Sequence, residues 1–524
     1  MARAGLTTPG PFTPRRRLAS ASLHIAGLST LAIAATAATG LVIEVVYGDS
    51  QWRALAASVG VLGAIGLSAW RFTSLPPDAG GPRGAVRAVG VAWITISLAG
   101  AVPYVLADVL PWDLAIFESV SGLTGTGSTV LAPIEGNTHG ILFYRQMTQW
   151  VGGMGVVVLA VAVLPFLRVG GLQLFRAESP GPTADQLVPR VSDTARRLWS
   201  IYCALTAVAT LLLLVAGLSV YEAVSHAATA VGTGGFSPYN DSISHFDSVI
   251  VEAAVIVSMF LGAVKFPLFY AAFRGRDLRV FWRSSEFRFF VWIVVASTAF
   301  VSLLNRLDGM ALSTAVRESA FNVVSLMSSC GFGTADFTLW APATQIVLLF
   351  LMVTGSMAGS TSGALKLFRV QVVAKHAWRE VRRVRHPSGV FPIRLGRAPI
   401  PETIVRSVLG YVMTYFLIAV VGILTLSALG SDLATAAGSV VTAMGGVGPG
   451  LGEAGPAANF LVFDFAQRAV LVVLMLVGRL EIFPLLVFVL SARSSIGRGT
   501  GRITAKRRLR DPGGSSATAA PARR

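Results

Sequence analysis

The chain has 524 residues, 53% hydrophobic and 13% charged, and its mean hydropathy of +0.67 leaves too little polar surface to clothe a water-soluble domain of this size. That excludes an ordinary soluble globular protein and points to a bilayer. The formal charge of +17 would suit a nucleic-acid binder if it covered one surface, but the basic residues gather in blocks at alternate ends of the apolar stretches, as in a multi-pass membrane protein.

In chain order, stretches apolar enough to cross about 30 Å of hydrocarbon as helices fall near residues 23–46, 54–70, 88–107, 140–166, 198–220, 249–273, 289–304, 345–357, 405–428 and 468–490. These ten spans predict an all-α membrane protein with both ends on one side. The arginines at 15–17, Arg83 and Arg87, Arg168 and Arg176, and the basic stretches 274–283, 375–385 and 506–510 place that side in the cytoplasm, and the chain is expected in the plasma (inner) membrane. Basic residues precede the first apolar run, but no A-x-A string before the next charged loop makes a convincing cleavage signal, so it reads as a retained span. Cys203 and Cys330 are too few for a disulfide framework, and neither has metal-ligand spacing. Six scattered histidines, no paired carboxylates within a span and no nucleophile motif give a membrane enzyme no support. No covalently bound cofactor is expected.

Four connections opposite the basic blocks read as a short helix running into a Gly-rich turn. They are 112–118 into SGLTGTGSTV, 221–228 into TAVGTGGFSPYND, 319–324 into SLMSSCGFGTADF, and 432–441 into TAMGGVGPGLG. Aligned on Gly127, Gly235, Gly331 and Gly448, all four carry a hydroxyl residue six positions earlier: Ser121, Thr229, Ser325 and Thr442. This is a diverged fourfold repeat of roughly a hundred residues. Backbone carbonyls can replace an ion's hydration shell only where several extended strands face one axis. Glycine permits the unusual backbone this requires, and irregular backbone at membrane depth survives only around a wet cavity or inside protein. The candidate ion-binding residues are therefore Thr124, Gly125, Thr126 and Gly127; Gly232, Thr233, Gly234 and Gly235; Ser329, Cys330 and Gly331; and Gly446, Val447 and Gly448. Residues two before each glycine differ between loops, which predicts looser ion discrimination than four identical strands would give. Asp113, Glu222, Glu318 and Asp432 are expected at the N-termini of the short helices, where a carboxylate meets unpaired N–H groups.

Further along, Gly355, Gly359, Gly363 and the run Ser360, Thr361, Ser362 interrupt an apolar span and predict a hydroxyl-lined break at membrane depth. Arg479 lies inside the last apolar segment, where an unpaired charge would cost at least about 2.5 kcal/mol. Glu481, the carbonyls of the 355–363 break, or both are its candidate partners. Lys265 fits either a snorkelling lysine or a pore residue.

The four loops, together with FYRQMTQWVGGMGVVVLAVAVLP (143–165), GSMAGSTSGALK (355–366) and GRLEIFP (478–484), resemble the Trk/Ktr/HKT superfamily of potassium transporters in the correct order. Two additional N-terminal spans resemble its Trk-like branch. The resemblance implies four M1–P-loop–M2 repeats around one pore, preceded by two extra helices. Its boundaries here would be 1–80 for the N-terminus and extra helices, 81–190, 191–284, 285–398 and 399–495 for the repeats, and 496–524 for a disordered basic tail. It implies potassium as the transported ion, selectivity at the aligned glycines, and a gate formed by Gly355, Gly359, Ser360, Thr361, Gly363 and Arg479. It also implies a homodimer and a separate cytosolic, nucleotide-binding regulatory ring. This chain has no G-x-G-x-x-G unit of its own, so nucleotide is expected only on that partner. Gly127 stands where sodium-preferring members have serine, which favours K+. A sodium or poorly selective cation transporter of the same family, or a secondary transporter of another fold with broken helices, remains the alternative. The basic segment 369–401 and the tail suit anionic lipid or an acidic partner surface.

Overall fold

The computed structural model describes residues 14–74, 82–162, 191–396 and 398–480. They form an all-α membrane fold; among the described residues the β structure is one two-residue ladder pairing Arg394–Leu395 with Ala398–Pro399. The apolar stretches are rich in Val and Ile, which favour strands in water. In lipid every backbone N–H and C=O needs an internal partner, so the same residues wind into helices.

Helices α1 (Pro14–Tyr47) and α2 (Trp52–Arg71) make an N-terminal hairpin. Gly27 and Gly66 face one another so closely that a Cβ on either would lie 2.9 Å from the other's carbonyl oxygen, the small-residue contact by which helices associate where lipid offers no hydrophobic drive. Gly40 makes a similar approach to Gly140, and Glu44 of α1 accepts from the Gly140 amide at 3.0 Å. The hairpin is thereby docked onto the first repeat.

The first repeat contains α3 (Pro82–Ala99), the short α4 (Val102–Leu106), α5 (Trp112–Thr124) and α6 (His139–Ala162). The second contains α7 (Val191–Val215), α8 (Val220–Val231), α9 (Val249–Ala263), α10 (Phe266–Gly275) and α11 (Arg279–Arg283). The third contains α12 (Ser285–Leu307), α13 (Leu312–Met327), α14 (Pro342–Thr354) and α15 (Leu367–Arg385); the fourth contains α16 (Glu402–Ala428), α17 (Leu433–Gly445) and α18 (Phe465–Leu480). One buried apolar cluster joins the second and third repeats, and another joins the first and fourth.

Among the described residues six helices are long and apolar enough to cross a membrane. The other four expected spans are bent, broken or run past the described residues. The stretch 249–273 is not one straight helix, because α9 and α10 meet at 93° across Val264 and Lys265.

The short helices α5, α8, α13 and α17 run closer to their loops than the sequence suggested. Asp432 caps α17 by accepting from Ala434 N and Thr435 N, and Glu222 closes a capping box with Ser219. Asp113 instead pairs with Arg468 at 3.2 Å. Glu318 is not at a helix start: α13 begins at Leu312, so Glu318 lies within it. The polar run Ser313, Thr314, Arg317 and Glu318 masked that first turn and a half, which sits outside the apolar stretch.

Candidate ion pathway

The four loops adopt one backbone. Gly125, Thr233, Ser329 and Gly446 have φ of 68°, 55°, 59° and 63°, and the aligned Gly127, Gly235, Gly331 and Gly448 have 86°, 75°, 83° and 105°. In each loop the residue between them, Thr126, Gly234, Cys330 or Val447, donates its amide to the carbonyl of the hydroxyl residue five positions earlier. Those hydroxyl residues diverge in their side chains. Ser121 and Ser325 donate to the carbonyls of Ser128 and Phe332, tying each loop to its own helix. Thr229 bonds back along its helix, and the Thr442 hydroxyl has no hydrogen-bond partner among the described residues.

The loops close into a ring in chain order. A Cβ on Gly127 would collide with the Gly234 carbonyl, on Gly235 with that of Cys330, and on Gly331 with that of Val447; on Gly448 it would lie 3.0 Å from the carbonyl of Thr126. Each aligned glycine thus fits against the next loop's preceding carbonyl, and the fourth returns to the first. The positive φ and the missing Cβ serve one purpose, since only glycine takes this backbone and leaves space for the neighbour. All four glycines line a single cleft. Thr124 and Thr126 share a hydrogen bond of 2.8 Å, and Gly232 accepts from the Thr233 hydroxyl at 2.8 Å. The Cys330 side chain is fully buried and turned toward the Thr229 carbonyl, behind the loop wall.

Helix α6 braces this ring. Gln149 donates to Gly234 O at 2.7 Å and accepts from Phe236 N at 2.9 Å, so one amide holds both sides of the second loop. Glu118 and Arg145 form an ion pair of 2.6 Å, with side-chain exposures of 0% and 1%. Glu118 also accepts from Val130 N and Thr129 Oγ1, while Arg145 donates to Ser237 O and lies 3.5 Å above the Phe236 ring centroid. Three acceptor contacts on one side and carbonyl plus aromatic face on the other offset the desolvation of both charges. Gly152 permits α6 to touch the Leu123 carbonyl, Gly262 brings α9 to Val231, and Gly478 brings α18 to Met444. Each of these glycines meets the last turn of its own repeat's short helix.

Under the ring lies the non-helical segment between α14 and α15. Thr361 donates to Val231 O at 2.9 Å, Ser362 shares a 3.2 Å hydrogen bond with Ser329, and Gly363 abuts the Gly445 carbonyl. Lys366 donates back to Ser362 O. Arg479 donates to Thr361 O at 2.8 Å and to Gly152 O at 3.3 Å, and a Cβ on Gly125 would lie 3.3 Å from its Nη2. The segment and Arg479 therefore contact all four repeats beneath the loops. Gly355 and Gly359, with φ of 65° and 84°, turn the segment out of and across the helix direction. Glu481, the other candidate partner, lies outside the described residues. Lys265 does not snorkel: its side chain is buried and pairs with Glu286 at 3.3 Å, and Glu286 accepts from Ala358 N at 2.8 Å.

A family model of TrkH cation transport proteins matches residues 84–495. The chain belongs to the TrkH family. Trk system potassium uptake protein TrkH of Escherichia coli strain K12 is 36% identical over 470 residues, covering 88% of this chain and 97% of that protein. Trk system potassium uptake protein TrkI of Halomonas elongata is 33% identical, covering 89% of this chain and 95% of its own. The crystal structure of the potassium transporter TrkH from Vibrio parahaemolyticus superposes with a TM-score of 0.82 at 33% identity, over 89% of this chain and 98% of that one. The TrkH-family assignment makes this a transport protein and not an enzyme. Sequence reasoning missed Glu118, Arg145 and Gln149 as supports of the family's loops. Their signal was a charged pair and an amide inside otherwise apolar stretches, which is costly unless each group is partnered.

Proposed function

We propose that this TrkH-family chain takes up potassium across the plasma membrane, with ions passing through the ring of four loops. The carbonyls and hydroxyls of residues 124–127, 232–235, 329–331 and 446–448 act as the selectivity filter. The observation that carries this reading is the closed ring in which each aligned glycine seats on the next loop's carbonyl. Such a ring presents four strands of irregular backbone to one axis at membrane depth, which is the arrangement that substitutes for a hydration shell. The printed names of the relatives, potassium uptake proteins and a potassium transporter, favour K+ as the ion.

Segment 355–366 with Arg479 acts as the gate, because it occupies the space under the ring and is held by hydrogen bonds that can be exchanged without unfolding a helix. The pore comprises the repeats 81–190, 191–284, 285–398 and 399–495, and both ends of the chain are cytoplasmic. A cytosolic nucleotide-binding ring moves the gate, and the chain works as a homodimer. Growth of a potassium-uptake-deficient cell at low K+, with rubidium and sodium fluxes measured in the same strain, tests the function. Rescue with rubidium flux exceeding sodium flux supports it; rescue absent in well-expressed protein supplied with its regulatory partner overturns it.

A further inference from the structure

The elbow between α9 and α12 combines charge and exposed aromatic surface in a way the pore does not use. After Ala263 the chain turns by 93° into α10, so α10 runs across the direction of the span that precedes it. Along residues 270–288 five arginines, Arg274, Arg276, Arg279, Arg283 and Arg288, face two acids. Asp277 is held by Arg283 at 3.0 Å, and Glu286 is buried against Lys265. Arg197 of α7 and Arg274 both donate to the Tyr270 hydroxyl, at 3.0 and 3.1 Å, and neither has a carboxylate partner among the described residues. Between these cations Phe273, Leu278 and Trp282 are 70%, 75% and 60% exposed.

Water would not favour that apolar surface, and the hydrocarbon centre would not accept those guanidiniums. A basic, amphipathic segment lying crosswise at the end of a span, with Trp and Phe between arginines, suits the boundary of headgroups and acyl chains. We propose that the elbow binds anionic phospholipid in the leaflet on the basic side of the membrane. Phe273, Leu278 and Trp282 enter the acyl boundary, and Arg274, Arg276, Arg279 and Arg283 hold headgroup phosphates. The excess of arginine over acid selects anionic over zwitterionic lipid. The elbow is also tied to the segment under the ring: Phe266 N donates to Gly359 O at 3.2 Å, Met357 N to Ala263 O at 3.4 Å, and Glu286 holds Ala358 N. Lipid bound there would bear on that segment. This consequence for transport rests on reading 355–366 as a gate, whereas the lipid site does not.

Native mass spectrometry of the full-length chain, released from detergent with phosphatidylglycerol or phosphatidylcholine of matched chains, reads the site. The chain should retain phosphatidylglycerol preferentially. Each change among Arg274→Gln, Arg276→Gln, Arg279→Gln and Arg283→Gln should weaken retention about fivefold, the factor for about 1 kcal/mol per surface arginine, and lysine at the same positions should restore most of it. Equal retention of the two lipids, or selectivity unchanged in the fourfold glutamine variant, overturns the proposal. So does a glutamine variant whose only change is loss of a dimer, which would make the patch an interface between copies. Rubidium flux in vesicles with and without phosphatidylglycerol reads the coupling separately. Selective lipid retention with flux indifferent to lipid would leave the site standing and remove its link to the gate.

Discussion

Gly331 sits so tightly against the Val447 carbonyl that no side chain fits between them, while Gly448 leaves 3.0 Å between an added Cβ and the Thr126 carbonyl. The ring is thus closed to different degrees around its circumference. The tight quadrant lies between the third and fourth loops, and the loose one between the fourth and first.

Gly331→Ala and Gly448→Ala should therefore behave differently although both impose a strained positive φ, which costs about 1–3 kcal/mol. At Gly331 the methyl must also displace backbone of the next loop, so assembled protein and flux should both be lost. At Gly448 the neighbour has only to yield by a few tenths of an ångström, so protein should assemble with a reduced K+ preference over Na+. Fluorescence-detected size exclusion and paired rubidium and sodium fluxes read the two effects. Equal behaviour of the two variants would show that the ring does not set selectivity through these contacts.

The thiol of Cys330 points behind the loop wall toward Thr229 O and is fully buried. In a Cys203→Ser background, small charged thiol reagents added outside should leave Cys330 unmodified, with or without K+, until the protein is denatured. Mass spectrometry gives the labelled fraction. Modification in the folded state that K+ prevents would put the sulfur in the ion path.

Removing one member of the Glu118–Arg145 pair should be worse than removing both. Glu118→Gln leaves a buried guanidinium without its counter-ion, and breaking a buried pair this way costs about 3–5 kcal/mol. Glu118→Gln with Arg145→Met removes the uncompensated charge, and part of the loss should return. Thermal stability of the detergent-solubilised chain measures both. A double variant less stable than either single would mean that the charges act independently.

The register of the four loops was legible because glycine and hydroxyl recur at one spacing, and the backbone that requires them is the same in every copy. The break at 355–363 and the need of Arg479 for a partner were legible for a related reason, since lipid tolerates neither a free guanidinium nor open helix ends. The supports were not. Gln149 and the second loop are 85 residues apart at their contact, and Arg145 and Ser237 are 92 apart, distances over which hydropathy carries no pairing information. The bend after Ala263 was hidden because Phe266, Pro267, Leu268 and Phe269 continue the apolar run across it. Lys265 fitted a snorkelling lysine as well as a pore residue only while Glu286, on the next repeat, was unknown as its partner.

The last prediction concerns Arg479 and Thr361, joined at 2.8 Å across the fourth and third repeats. A planar guanidinium can serve two carbonyls at once, and here they are Thr361 O of the broken segment and Gly152 O of α6. On the gate reading, this bridge holds the segment against the underside of the ring. Arg479→Ala removes both donors and vacates space next to Gly125, so flux should rise and depend less on the regulatory partner. Arg479→Lys keeps the charge but offers a point donor that satisfies fewer carbonyls, and its flux should fall between the two. Shortening the 355–366 segment should raise flux by itself, and adding Arg479→Ala to it should change little, because two groups that act as one unit are not additive. Rubidium flux into vesicles, normalised to protein and measured with and without the partner, decides the matter. Fully additive effects, or lower flux in well-folded Arg479→Ala protein, would show that the arginine does not hold this segment shut.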